Sequence, residues 1–212
     1  MSLGRLIVFE GIEGAGKTTQ IQQAYQWLSS ALSRPVLLTR EPGGTPLGER
    51  LREVLLGDMA ISSTAELLLY AADRAQHIEN FIKPALAEGK IVLCDRFTDS
   101  TIAYQGYGRG LSLLIIDQLN QIATQTVQSD LTLWLDVEVE TGLERMRQRG
   151  KADRMERADI QFHRRVQQGF ATLAQTDGNP MVRIDANVSE SQVWERVCSV
   201  LDTQLREWDL WE

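Results

Sequence analysis

A glycine-rich loop of the form G-x-x-x-x-G-K-[ST] runs through Gly11-Ile12-Glu13-Gly14-Ala15-Gly16-Lys17-Thr18. It follows an apolar run, Leu6-Ile7-Val8-Phe9, and opens a stretch with helical spacing. A strand that turns into a helix through such a loop restricts the chain to a few α/β architectures. The glycines let backbone N–H groups turn inward around phosphate oxygens. Lys17 can reach the β/γ-phosphates, Thr18 offers a hydroxyl to Mg²⁺, and the helix adds its positive dipole end to the same anion site. The implied ligand is a nucleoside triphosphate, held by Gly11, Glu13, Gly14, Ala15, Gly16, Lys17, Thr18 and Thr19. A glycine-rich turn that matches by accident would not explain the strand before it and the helix after it.

The same alternation continues along the chain. Short apolar strands are expected at 6–10, 36–39, 91–94, 131–136 and 182–185. Continuous apolar runs such as Ile91-Val92-Leu93-Cys94 suit strands buried on both faces. Between them Ile21, Ala24, Tyr25, Leu28 and Leu32 repeat at helical spacing. Ser63 with Glu66, and Ser189 with Gln192, read as capping boxes, and Ser112 as a further cap. Pro84 should kink or split the long helix after Ser63, and Gly89 should end that segment. The expected fold is α/β: one domain over 1–212, with a five-stranded parallel sheet covered by helices on both faces. Ligands bind such sheets at the carboxyl ends of strands, where 11–18, 40–45 and 95–105 fall.

Composition narrows the function classes. The chain has 212 residues, 43% of them hydrophobic, enough for a proper core. Its net charge of −7 argues against general nucleic-acid binding, which needs a basic face. No apolar run approaches the length of a transmembrane helix, and Met1–Arg5 leaves no room for a signal peptide before the first strand. Cys94 and Cys198 lack metal-ligand spacing and suit a reducing, cytoplasmic setting. The C-terminal Trp208-Asp209-Leu210-Trp211 is expected to pack against the domain.

Four further segments carry chemistry. In Thr39-Arg40-Glu41-Pro42-Gly43-Gly44-Thr45, an arginine at a strand end can fork onto a phosphate, or simply be solvated. Asp95, at the end of a buried strand, is placed to hold a metal directly or through water, with Arg96 beside it; a plain ion pair is the alternative. The run after it, from Ser100 through Thr101, Tyr104 and Gln105, offers hydrogen bonds to a base. Tyr70 and Arg74 are four apart and share a helix face, suited to a nucleobase or to an amphipathic boundary. His77 has no second His or Cys nearby and should cap or solvate. Residues 145–157 concentrate arginines around Gly150, either as a solvated helix end or as a mobile basic lid over donor phosphates.

Together these segments resemble the thymidylate kinases over nearly the whole chain. The blocks are F-E-G-I-E-G-A-G-K-T-T (9–19), T-R-E-P-G-G-T (39–45), L-L-Y-A-A-D-R-A-Q-H (68–77), C-D-R-F-T-D-S-T-I-A-Y-Q-G-Y-G-R-G (94–110) and D-R-M-E (153–156). The phosphate loop is shared with many proteins, whereas 39–45 and 94–110 in this order are specific. The resemblance implies a P-loop kinase fold with a short basic lid, transfer of the γ-phosphoryl group of ATP to dTMP with Mg²⁺, and a homodimer built on helices around 64–82 and 112–127. It implies that Glu13 contacts the acceptor 3′-hydroxyl, that Arg40 and Arg96 hold the acceptor phosphate, and that Glu41 lies near the site and metal. Tyr70, in a place commonly held by Phe, stacks on the base. Arg74, Ser100, Thr101 and Gln105 read the base edge, Tyr104 lies beneath the deoxyribose, and Arg52 is a base-side neighbour. Some members carry an arginine where this chain has Gly14. This chain resembles the other, bacterial kind, with Arg149 and Arg154 as lid-borne catalytic residues alongside Lys17, Arg96 and Glu13. The rivals are a kinase of free deoxynucleosides and a nucleotide-switched binding protein.

Overall fold

The structure is a computed structural model that describes residues 4–148, 150 and 154–211. Arg149 and residues 151–153 of the lid lie outside the described residues. In chain order the elements are β1 (Arg5–Glu10), α1 (Lys17–Ala31), β2 (Val36–Arg40), α2 (Pro46–Leu56), α3 (Ser63–His77) and α4 (Lys83–Ala87). They continue with β3 (Ile91–Asp95), α5 (Thr98–Thr101), α6 (Leu113–Thr124), β4 (Leu131–Asp136), α7 (Val139–Arg147), α8 (Ile160–Leu173), β5 (Met181–Asp185) and α9 (Glu190–Glu207). The five strands form one parallel sheet in the order β2-β3-β1-β4-β5. All five expected strands are present, and none is shifted by more than a residue at either end.

The central strands are buried on both faces, as their unbroken apolar runs require. Ile7, Phe9, Leu93 and Leu133 join Ile21, Ala24 and Leu28 of α1 and Val193, Val197 and Leu201 of α9 in one cluster. Leu6, Val8, Val92 and Cys94 point the other way, against Ile78, Ile82 and Phe97. Each fully buried Leu or Ile contributes about 1.5–3 kcal/mol, so the sheet is a rigid platform for the loops at its carboxyl edge. The C-terminal tryptophans close the far side: Trp27 meets Trp211 edge-on at 5.5 Å, and Arg5 lies 4.9 Å from the Trp208 ring centre.

The helix ends depart from the sequence reading in two places. Ser62, not Ser63, caps α3, accepting from the Ala65 N–H, and Glu66 turns into the core instead of closing a capping box. Ser112 occupies the N-cap position of α6 without a side-chain bond. Ser189 and Gln192 form the expected capping box on α9. Between α3 and α4 the helix widens into a π turn over Ile78–Ile82. Pro84 explains it, because it lacks the N–H that an α-helix would need there, and a π turn absorbs the mismatch. Gly89 then stops the segment at φ +77°. A second π turn, Ile102–Gly108, follows α5 and carries Tyr104 and Gln105.

Candidate active site

The phosphate loop joins β1 to α1 with Gly14 and Gly16 in the left-handed region, at φ +74° and +93°. At Gly14 the backbone of α7 closes in as well. A Cβ there would overlap the Gly142 carbonyl, and a Cβ on Gly142 would come within 2.6 Å of the Glu13 carbonyl oxygen. The space an arginine would need at position 14 is therefore filled by α7. Gly14→Ala is expected to lose about 1–3 kcal/mol of stability, and ATP affinity with it. Thermal melting and ATP titration check this, and unchanged values in both would contradict it.

A cavity of about 560 Å³ runs from this loop along the carboxyl edge of the sheet. At one end it is lined by Lys17, Thr18 and Thr19, and at the other by Tyr70, Arg74, Thr101 and Gln105. Glu13, Arg40, Glu41, Arg52, Asp95, Arg96, Ser100 and Tyr104 lie between. Most of the expected site residues are thus brought to one cavity. Gly11 and Ala15 are buried in the loop beneath it.

The middle is organised by Arg96, whose φ of +72° at the end of β3 turns its side chain back over the loop. Its Nη1 donates to the Gly11 carbonyl and the Ser100 hydroxyl, its Nη2 to Glu13 Oε1 and the Tyr104 hydroxyl. The Tyr104 hydroxyl donates in turn to Glu13 Oε1 at 2.7 Å. Glu13 Oε2 accepts no hydrogen bond among the described residues; His163 Nδ1 of α8 lies 3.5 Å away. Burial works to raise the Glu13 carboxyl, but His163, Arg96, Lys17 and Tyr104 outweigh it and hold it well below the usual carboxylate range.

Lys17 curls onto the loop, donating to the Gly11 and Ile12 carbonyls at 2.9 and 3.0 Å. Burial and the Arg96 charge lower its ammonium to about 8, against the pull of Asp95, Glu13 and Glu10. Glu10, fully buried at the end of β1, accepts from the Phe97 and Ser100 N–H groups and from the Ser100 hydroxyl at 2.6 Å. Burial lifts its carboxyl to about 7 despite Arg96. It anchors the turn that carries Ser100 and Thr101.

The end lined by Tyr70 and Arg74 is more tightly knit than a stacking pair suggests. Arg74 is 2% exposed. It donates to Glu41 Oε2, Thr101 Oγ1, Asn120 Oδ1 and the Phe97 carbonyl. By count that leaves one of its five N–H donors for a ligand. His77 neither caps nor meets solvent: it is fully buried, with Nδ1 2.9 Å from Glu41 Oε1 and Nε2 2.7 Å from Thr39 Oγ1. Glu41 is therefore a buried acceptor for Arg74 and His77. Arg40 is exposed on the cavity and has no ion pair among the described residues, and Arg52 donates to the Pro42 carbonyl.

The basic run does not act as one unit. Arg145 donates to the Ala186 carbonyl and Arg147 pairs with Glu144, both on α7 away from the cavity. Arg154 turns inward, beside the cavity but not on its lining: it donates from Nε to the Leu55 carbonyl and pairs through Nη1 with Glu66 Oε2 at 2.7 Å. Its Nη2 is buried without a hydrogen-bond partner.

The residues fit a magnesium ion. Asp95 Oδ1 is buried without a hydrogen bond in the cavity wall that Thr18 also lines. Magnesium keeps most of its waters and takes one or two protein oxygens, so such a pair suffices. Nothing in the sequence assigns Glu10, Glu66, Asn120 or His163 to the site. Each meets its partner only through the tertiary fold.

The comparisons with known proteins agree with this geometry. The family model described as thymidylate kinase matches residues 9–197. A protein named thymidylate kinase from Cyanothece sp. is 54% identical, over 97% of this chain and 96% of its own. One of the same name from Nostoc punctiforme is 55% identical, over 96% and 98%. The crystal structure of thymidylate kinase from Ehrlichia chaffeensis superposes with a TM-score of 0.78 at 38% identity, covering 94% of this chain and 98% of that one. A match of this extent, on a chain that carries the phosphate loop and the acceptor-side blocks in order, is decisive: the chain belongs to the thymidylate kinase family.

Proposed function

We propose that this cavity is where the γ-phosphoryl group of ATP passes to dTMP, giving dTDP and ADP for dTTP synthesis. The observation that carries the reading is the single cavity, with a phosphate loop at one end and a hydrogen-bonding base pocket at the other. A nucleotide switch has no use for the second end.

The acceptor phosphate is largely dianionic at neutral pH, so one of its oxygens attacks the γ-phosphorus without a general base. The bond to the bridging β-oxygen breaks, and ADP leaves. The protein aligns the two nucleotides and neutralises charge. Lys17 leaves the loop carbonyls for the donor phosphates, and the lid arginines Arg149 and Arg154 close over them. Arg40 and Arg96 hold the acceptor phosphate. Glu13 takes the 3′-hydroxyl, with Tyr104 beneath the sugar. Tyr70 stacks on the base, and Arg74, Thr101 with Ser100, and Gln105 read its edge. Thr18 and Asp95 would hold Mg²⁺, which when bound neutralises charge on the donor phosphates. The test is to follow dTMP, ATP and Mg²⁺ by ³¹P NMR: the β-phosphorus of dTDP should appear as dTMP disappears, and release of inorganic phosphate alone would exclude the reading.

The lowered Lys17 ammonium makes nucleotide binding a proton-linked event. With its value near 8, Lys17 is about half charged at pH 8, and anionic phosphates restore the charge. ATP binding at that pH should therefore take up about half a proton, seen by calorimetry in buffers of different ionisation enthalpy. Uptake that survives in Lys17→Met would contradict the assignment.

The proposal extends to a homodimer in the cytoplasm. The packed pair α3 and α6 exposes Leu68, Leu114, Ile115 and Ile122, the last at 74%. An apolar face of this kind suits a second copy. Sedimentation should give the dimer mass, and Ile122→Asp should shift it toward the monomer; a monomeric parent protein would rule this out. Both cysteines are free thiols, which suits a reducing compartment. Among the described residues, no helix is long and apolar enough to cross a membrane.

A further inference from the structure

We propose that Glu66 sets the acceptor's base class, by holding the Gln105 carboxamide so that only its oxygen is offered to the base. The inference rests on the reading that Gln105 faces the acceptor base.

Glu66 lies on α3 and is 1% exposed. Its Oε1 accepts from Gln105 Nε2 at 2.8 Å and from Arg109 Nε at 3.4 Å. Its Oε2 pairs with Arg154 Nη1 at 2.7 Å and with Arg109 Nη2 at 3.3 Å. Burial works to raise this carboxyl, but the Gln105 hydrogen bond and the charges of Arg109 and Arg154 outweigh it and keep it below its ordinary value. An ionised carboxylate only accepts. The Gln105 amide is thus forced to turn its NH₂ toward Glu66, because the flipped amide would set oxygen against oxygen.

The consequence falls on the other end of the amide. Gln105 is 2% exposed, lines the cavity, and uses Nε2 on Glu66. Its Oε1 accepts no hydrogen bond from the described residues and is not among the buried unpaired atoms, so it is the polar atom left for a ligand. A fixed acceptor matches the N3–H donor of thymine and uracil. It repels cytosine, which presents a lone pair at N3. The carboxylate thus selects an imide base without touching it. It also ties that choice to the lid residue Arg154, which shares the same carboxylate.

The test compares kcat/KM for dTMP, dUMP and dCMP in wild type, Glu66→Gln and Gln105→Leu. A glutamine at 66 can donate as well as accept, so the Gln105 amide becomes free to flip. The dTMP-to-dCMP preference should then fall by about 10–100-fold, while the dTMP-to-dUMP ratio, which shares the N3–H, stays unchanged. A merely structural role would lower all three acceptors together with both ratios intact, and would overturn the proposal. Gln105→Leu should also lower the dTMP-to-dCMP preference. If it does and Glu66→Gln keeps that preference, the role of Glu66 alone is wrong. If Gln105→Leu keeps it, the base-reading assignment of Gln105 falls, and the proposal with it. A second readout needs only wild-type protein, should Glu66→Gln fail to fold. The Gln105 side-chain NH₂ resonances, assigned by their loss in Gln105→Leu, should exchange slowly with solvent both free and with dTMP bound. Rapid exchange in the dTMP complex would overturn the proposal.

Discussion

Lys17→Met should lower kcat by about 10²–10³ or more while leaving the fold intact. The side chain is buried in the loop and, among the described residues, its ammonium bonds two loop carbonyls, so methionine fills the same channel without a charge to lose. The Gly11 carbonyl still accepts from Arg96 Nη1. Phosphoryl transfer has little covalent chemistry for the protein to perform, so a missing cation over the transferring group is felt directly in the rate. Removing a partly neutral, desolvated ammonium should leave the melting temperature near the parent value or raise it. Steady-state rates with saturating dTMP and ATP check the first part, and calorimetric melting the second. A kcat equal to wild type would show that Lys17 is not the donor-side cation.

Arg96 should be costly in two independent ways. Its four Nη hydrogens bind Gly11, Ser100, Glu13 and Tyr104, so it fastens the loop, the turn after β3 and the Glu13 carboxylate together. Arg96→Ala leaves the Glu13 carboxylate in a buried setting with its main counter-charge gone, a loss of about 3–5 kcal/mol. Arg96→Lys keeps a charge but not the planar fork, so it cannot serve four acceptors at once. Both should lower kcat/KM for dTMP by about 10²–10³, since the acceptor phosphate loses its guanidinium. Lys should melt above Ala. Full activity in Arg96→Lys would mean that Arg96 is a structural clasp and that Arg40, exposed on the cavity, carries the acceptor phosphate alone.

Much of this site could be read before the structure, and the reasons are local. The phosphate loop announces itself because a turn of that shape needs glycine at particular positions, and Gly14 and Gly16 do take positive φ. The five strands stand out because burial on both faces demands unbroken apolar runs. What could not be read is the pairing of charges that meet only through the tertiary fold. Glu66 matches a capping box letter for letter, yet it turns inward because Arg109 and Arg154, 43 and 88 positions further on, supply partly buried counter-charges. His77 has no ligand-like neighbour in sequence and is enclosed by Glu41 and Thr39 from β2 and the turn after it. The basic run looks uniform, but Arg145 and Arg147 complete α7, while Arg154 turns inward onto Glu66. Arg149 lies outside the described residues, so its place in the lid rests on the resemblance alone.

The most direct measurement is ADP release with ATP and Mg²⁺ across a panel of acceptors: dTMP, dUMP, AMP, CMP, GMP and thymidine. Turnover with dTMP should stand far above the rest, because the cavity joins a phosphate loop to acceptor-side arginines and a fixed hydrogen-bonding pocket. Turnover with thymidine but not with dTMP would contradict the acceptor-phosphate role of Arg40 and Arg96. Tight ATP binding with no turnover on any acceptor would contradict the kinase reading itself.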